Sequence, residues 1–170
     1  MTALAASGEV PSAPGLLRRL ACFLYEGVLL FAVLMIAGYM FSSLTQQQHP
    51  LQGRALLQAF LFLVLGVYFV WFWSHGGQTL AMKTWRIRLV GAAGQPVSQA
   101  RAFARYLMSW LWFAPALIVL WVAETAGLGT IFTSLATGVL AYASLALLSP
   151  QRQFLHDTIC ATRLVSMPAR

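Results

Sequence analysis

Acidic residues are nearly missing from this chain: four Asp and Glu against eleven Lys and Arg in 170 residues, for a formal net charge of +7. Charged residues make up 9%, where a soluble domain carries about a quarter. So few charges cannot solvate a domain of this size, and a 59% hydrophobic content points to a membrane composition. Cysteine is scarce too. Cys22 and Cys160 form no CxxC and no zinc spacing, which leaves two reduced thiols beside a membrane boundary. There is no GxSxG, no GxxxxGK[ST] and no serine with local His and Asp partners, so neither nucleophilic hydrolysis nor a P-loop site has support. No enzyme activity and no cofactor are expected. Glu26, His75, His156 and Asp157 are the candidate metal ligands, but none stands at ligand spacing, so no metal is expected either.

What the chain does have is long apolar runs. The first span runs from about Leu20 to Leu44, the second from about Ala55 to Trp73, the third from about Ala104 to Ala123 and the fourth from about Thr130 to Leu148. Each is near the roughly 20 residues that a helix needs to cross the hydrocarbon core. The expected fold is an all-α membrane protein of four transmembrane helices in two hairpins. Residues 1–15 form a loose tail, 16–166 the transmembrane domain and 167–170 a short end. A lipobox reading of Leu20-Ala21-Cys22 fails because the cysteine opens the apolar stretch instead of following it. A twin-arginine signal at Arg18-Arg19 fails because the run is too long and contains Glu26. Pro115 inside the third span predicts a kink. Thr130, Ser134 and Gly138 give the fourth helix a small face for close packing.

Basic residues fix the orientation. Arg18, Arg19, Lys83, Arg86, Arg88, Arg101, Arg105, Arg152, Arg163 and Arg170 fall on one side and Arg54 alone on the other. The termini and the polar middle, Ser74 to Arg105, are therefore expected in the cytoplasm. The same residues imply anionic lipid headgroups as partners, not nucleic acid. Within the middle, His75-Gly76-Gly77 breaks the second helix. Gln78 to Thr84 reads as one or two helical turns, Trp85 to Val90 as a short strand, and Ser98 as the N-cap of a further helix. Gly76-Gly77-Gln78-Thr79 has two readings, an anion cradle at a helix start or an exit turn that needs glycine conformations. Thr162 to Val165 is a second strand candidate, expected to pair with Arg86 to Val90 and to hold Asp157 near Gly77-Gln78 and the start of the first helix. No sequence repeat of 20–50 residues is visible, although two hairpins around a basic connector suit a distant structural repeat.

Two acidic side chains could carry chemistry. Glu26 lies about two turns inside the first span, where an isolated carboxylate costs several kcal/mol. Either it is an ion or proton site, or it fixes packing while satisfied by Arg19, seven positions earlier on the same face, or by an arginine of another helix. Asp157 follows the fourth span in His156-Asp157 and could cap a helix or pair with a basic residue of the middle.

Three separated segments resemble the RDD family of bacterial integral membrane proteins. They are Arg18-Arg19-Leu20-Ala21-Cys22-Phe23-Leu24-Tyr25-Glu26, then Gly77-Gln78-Thr79-Leu80-Ala81-Met82-Lys83 running into Arg86 to Val90, and Gln153-Phe154-Leu155-His156-Asp157 running into Ala161 to Val165. The family is named for an Arg and two Asp residues. By motif the arginine falls on Arg19 (or Arg18) and the second aspartate on Asp157. The first aspartate is Glu26 here, one methylene longer. The resemblance implies a bacterial inner-membrane protein, with Arg19, Glu26 and Asp157 as a signature and Arg18, Gly77, Gln78, Thr79, Lys83 and His156 in support. It implies transport of ions or small solutes, of the cation/proton antiport type; four spans are few for enclosing a pathway, so a homo-oligomer is expected. The alternative is a scaffold, or a partner- or lipid-binding module, that works through its basic cytoplasmic face.

Overall fold

The computed structural model describes residues 13–46, 53–113, 118, 127–148 and 154–168. Helix α1 spans Leu16–Leu44 and α2 Arg54–His75. A short helix α3, Leu80–Thr84, leads into strand β1, Ile87–Gly91. Helix α4, Gln99–Ser109, passes into a single 3-10 turn at Trp110–Trp112. Helix α5 is Leu128–Leu148, followed by a short α6, Leu155–Ile159, and strand β2, Thr162–Ser166.

With 29 and 22 residues, α1 and α2 are about 43 and 33 Å long, enough to cross the bilayer. Only 17% and 6% of their most apolar windows are buried, so they are not the core helices of a soluble domain. The buried residues of α1, namely Arg19, Cys22, Glu26, Leu30, Ala37 and Phe41, recur every three, four or seven positions and make one stripe. Leu24, Val28, Phe31, Met35, Ile36 and Tyr39 lie exposed on the same helix. Phe41 meets Phe60 of α2 at a ring separation of 5.1 Å. The first half of the third expected span is not one continuous helix, since α4 ends at Ser109 and passes into the 3-10 turn. Residues 114–117, Pro115 among them, and 119–123 fall outside the described residues, as does the Ser149-Pro150 stop. In α5, Gly138 is buried and Ser134 partly so, while Thr130 is exposed, so the small face packs only over its later part.

The core collects at one end of the helices. Trp73, Ala81, Met82, Ile87, Leu89, Ala102, Tyr106, Tyr142, Phe154 and Leu164 form a continuous cluster there. Gly66 is what lets α4 approach α2: a Cβ would lie 3.2 Å from the Tyr106 ring, and the Tyr106 hydroxyl donates to the Phe62 carbonyl at 2.7 Å. Ser98 caps α4 as its sequence predicts, its hydroxyl accepting from Arg101 N–H at 3.4 Å.

The two predicted strands do pair. They are antiparallel, with Ile87 opposite Ser166, Leu89 opposite Leu164 and Gly91 opposite Thr162. This ribbon reveals the repeat that inspection of the sequence left open. Residue 87 corresponds to 162 and residue 91 to 166, so Leu89 and Leu164 are equivalent and face each other on a pseudo-twofold axis. The spacing holds throughout the approach to the strands. Each five-residue helix ends in a residue with left-handed backbone, Arg86 at φ 51° and Ala161 at φ 50°. Trp85 N–H bonds Ala81 O as Cys160 N–H bonds His156 O, and Met167 N–H bonds Arg86 O as Ala92 N–H bonds Ala161 O. At the same spacing the sequence keeps Gln78 and Gln153, Leu80 and Leu155, and Arg88-Leu89-Val90 and Arg163-Leu164-Val165. Two copies of a helix–turn–strand unit thus close on each other at one end of the helices, which we call the ribbon lobe.

Candidate functional site: a buried polar network under the ribbon

Of the pairings that the sequence offers, Asp157 with a basic residue of the middle forms, and Arg19 with Glu26 does not. Asp157 is wholly buried on α6 and takes a two-nitrogen contact from Arg105 of α4. Arg105 Nε donates to Asp157 Oδ1 at 3.0 Å and Nη2 to the same oxygen at 2.7 Å. The guanidinium lies 4.2 Å from the Trp73 ring centre, so α2 supplies an aromatic floor beneath the pair. His156 adds a third group, its Nε2 standing 3.4 Å from Oδ1. Asp157 Oδ2 is buried and accepts no hydrogen bond among the described residues.

His156 itself is fixed by Tyr142 of α5. The Tyr142 hydroxyl accepts from the His156 backbone N–H at 3.1 Å and sits 2.9 Å from Nδ1. Burial holds the imidazole down to about 4, with Asp157 pulling it up and Arg105 pushing it further down. It is neutral at neutral pH. The hydroxyl then donates to Nδ1, and the Nε2 proton points at Asp157. Burial pushes the nearby Cys160 thiol up, which leaves it a poor nucleophile.

Glu26 occupies a different niche. Its Oε1 accepts from the Tyr68 hydroxyl of α2 at 2.6 Å, and its Oε2 accepts from the Thr79 hydroxyl. No ion pair reaches it among the described residues. Arg19, the partner that helix spacing offers, is engaged elsewhere. Its Nε donates to the Pro14 carbonyl at 2.8 Å, and its guanidinium covers Phe154 at 5.1 Å. The reason is geometric: a carboxylate two turns deeper is beyond the reach of a guanidinium held back at the helix start. No hydrogen bond or ion pair joins Arg19, Glu26 and Asp157 to one another among the described residues, although Arg19 and Phe154 bring the start of α1 against α6.

The glycine turn resolves in favour of an exit turn. Gly77 has φ 70°, and a Cβ there would overlap the Leu89 carbonyl oxygen. Gly77 O accepts from Leu89 N–H at 2.7 Å, and Gln78 Nε2 donates to Ile87 O at 2.7 Å, so both bind β1 and not Asp157. Thr79 is the N-cap of α3, its hydroxyl accepting from Met82 N–H at 3.2 Å. Arg18 reaches over the top, Nε to Trp85 O at 2.6 Å and Nη2 to Arg86 O at 3.0 Å. Lys83 and Arg86 are exposed. His75 stacks on Trp71 and bonds the Trp71 carbonyl, a local interfacial contact. No group of three or more His, Cys, Asp or Glu side chains suited to a metal occurs among the described residues.

Tyr68 and Tyr142 are partners that sequence reasoning did not name, whereas Asp157 pairs, as one of its two expectations had it, with a basic residue of the middle, Arg105. Arg105 had a signal: with Ala102 and Tyr106 it makes the inward face of α4 at i, i+3 and i+4. Tyr68 and Tyr142 are the kind of hydroxyls, in otherwise apolar runs, that a buried carboxylate or imidazole recruits.

Long apolar helices with exposed sides, joined at one end by a charged but closed polar network, define a membrane protein. The chain belongs to the RDD family: the family's model matches residues 13–161, which takes in both helix–turn–strand units down to the second left-handed turn. No curated protein and no solved structure matches the chain significantly.

Proposed function

We propose that the protein is a four-span protein of the bacterial inner membrane, termini and ribbon lobe in the cytoplasm, that moves ions or small solutes, with Glu26 as the group that exchanges a proton or cation. The observation that carries this reading is the unequal treatment of the two acids. Asp157 is neutralised by Arg105 in a sealed pair, the form a structural carboxylate takes. Glu26 lies inside an apolar helix and, among the described residues, is held by two hydroxyls and by no cation. An intramembrane acid without a fixed counter-charge is by default a functional group. The exposed apolar side of α1 supports a homo-oligomer, which four spans would need to enclose a pathway. In proteoliposomes, cation-dependent proton flux should be seen in the wild type and lost in Glu26→Gln. Flux missing from the wild type, or unchanged in the variant, refutes the assignment.

A second reading has its own support. Lys83 and Arg86 are exposed on a lobe that is otherwise tightly bonded, as a scaffold or a module for anionic lipids or partners requires. On that reading, substitution of Lys83, Arg86 and Arg88 removes a crosslinked partner while Glu26→Gln is tolerated.

A further inference from the structure

Helix α1 is attached to the first helix–turn–strand unit at two points of different character. Arg18 bonds the Trp85 and Arg86 carbonyls from the start of the helix. Glu26, eight residues and about 12 Å further in, bonds the Thr79 hydroxyl. The first attachment joins a guanidinium to two backbone carbonyls. The second involves a carboxylate, which can take up a proton.

We propose that Thr79 is a positioning residue that ties the charge on Glu26 to the docking of α3 and β1, so that neutralising Glu26 loosens the start of the first unit on α1 while Arg18 still holds its turn. This rests on the assignment of Glu26 as the exchanging group. The argument lies in the hydroxyl's bonding. A threonine hydroxyl has one proton to donate and two lone pairs to accept with. Here the proton goes to Glu26 Oε2 and one lone pair takes Met82 N–H, the N-cap bond of α3. Thr79 is wholly buried, so no solvent offers a substitute acceptor. An ionised carboxylate is an acceptor only. When a proton lands on Oε2 the contact must reverse, Glu26 donating and Thr79 accepting, and the Thr79 proton loses its partner. When the proton lands on Oε1 the contact survives but is no longer charge-assisted, and such bonds are roughly half as strong. Both routes loosen the joint between α1 and α3.

Tyr68 does not play the same part. It sits on α2 and is only partly buried, so its hydroxyl can turn without disturbing a cap. The groups facing Glu26 are Tyr68 from α2, Thr79 at α3, and Cys22 one turn earlier on its own helix, whose thiol feels the Glu26 charge. The pseudo-twofold partner of Thr79 is Phe154, which has no hydroxyl, and the second unit is held to α4 by the Arg105–Asp157 pair. The first half of the lobe therefore has a releasable attachment at Thr79 beside the Arg18 contacts, and the second half has an ion pair in its place.

The test is hydrogen exchange of backbone amides in detergent-solubilised full-length protein, corrected for intrinsic pH effects, from about pH 9 to about pH 5. In the wild type, segment 80–91 should exchange roughly fivefold to tenfold faster at the acid end, while 162–166 stays level. Glu26→Gln and Thr79→Val should both show fast, pH-independent exchange of 80–91. Thr79→Ser and Tyr68→Phe should keep the wild-type response. A wild-type segment 80–91 that does not respond to pH, or a Thr79→Val protein that responds as the wild type does, overturns the proposal. Proton flux in proteoliposomes reports separately on Glu26 as the exchanging group. Lost flux with a flat exchange profile leaves that assignment standing and removes the role of Thr79. A pH-responsive segment in a protein without flux does the reverse.

Discussion

Removing one member of the Arg105–Asp157 pair should cost far more than removing both. Asp157 is 0% exposed, the Arg105 side chain is 7% exposed, and two nitrogens meet one oxygen at 2.7 and 3.0 Å. Breaking a pair buried to this degree typically destabilises by about 3–5 kcal/mol, mostly because the surviving charge has no partner. In Asp157→Leu the stranded guanidinium keeps its stack on Trp73, worth about 1–2 kcal/mol, so the loss should sit near the lower end, about 3 kcal/mol. In Arg105→Met the stranded carboxylate keeps only the long contact from His156 Nε2 at 3.4 Å, and the loss should sit near the upper end, about 5 kcal/mol. The double variant leaves neither charge and replaces both with apolar groups of similar reach. It should fall within about 1–2 kcal/mol of wild type, giving a coupling energy of about 6 kcal/mol. Thermal unfolding in detergent micelles, followed by tryptophan fluorescence, would read the single variants as Tm losses of roughly 6–20 °C. Single losses below about 1 kcal/mol, or a double variant that loses the sum of the two, would show that the pair is not the fastener of α4 to α6.

The neighbouring imidazole gives a pH prediction. His156 is held at about 4 in the folded protein against about 6.5 unfolded, so between these values the unfolded chain binds the extra proton. Stability from this group is complete above about pH 6.5 and falls by about 3 kcal/mol as the pH drops to about 4, below which it is level. The check is the Tm of wild type minus that of His156→Gln across this range: a difference that does not shrink on acidification sinks the assignment. Gly77 and Gly76 make an internal control at adjacent positions. Gly77→Ala faces both a left-handed φ and the Leu89 carbonyl and should lose at least about 2 kcal/mol by the same melts. Gly76→Ala, with φ −169° and open space, should stay within about 0.5 kcal/mol, and equal losses at the two sites would refute the turn's role.

The sequence shows the two long apolar helices, the start of α4 and the two strands because each is written locally: long apolar runs, Ser98 before α4, and the alternation from Trp85 to Leu89 and from Thr162 to Leu164. For Asp157 a basic partner from the middle was legible, and Arg105 is that partner, but the partners of Glu26 were not. Helix spacing puts Arg19 and Glu26 on one face, and that much is right, since both lie on the buried stripe of α1. Which group each then bonds depends on how α2, α4 and α6 arrive. Arg19 is taken by Phe154 and Pro14, and Glu26 by Tyr68 and Thr79, all from outside its own stretch of helix except Pro14. The repeat was hidden for another reason. Only scattered positions match between Gln78–Gly91 and Gln153–Ser166, while the backbone that they share depends on left-handed residues, Arg86 and Ala161, that carry no common side-chain signal.

The repeat also explains why the signature acids are not equivalent. A pseudo-twofold unit presents the same backbone to two different neighbours, α1 for the first copy and α4 for the second. At the cap position one copy has Thr79 and the other Phe154. Three residues on, one has Met82 and the other Asp157. The polar position has thus moved by one helical turn between copies, from the cap that faces a membrane carboxylate to the interior position that faces a guanidinium. Fixing one copy with an ion pair while leaving the other on a hydroxyl is a division that symmetry would forbid and that the divergence of the copies permits. A lengthened acid at position 26 fits the hydroxyl side of that division. A Glu reaches about one methylene further than an Asp and can meet Tyr68 and Thr79 from two different elements at once. A single oxygen held between two nitrogens of one arginine instead suits the shorter, stiffer carboxylate, and position 157 has it.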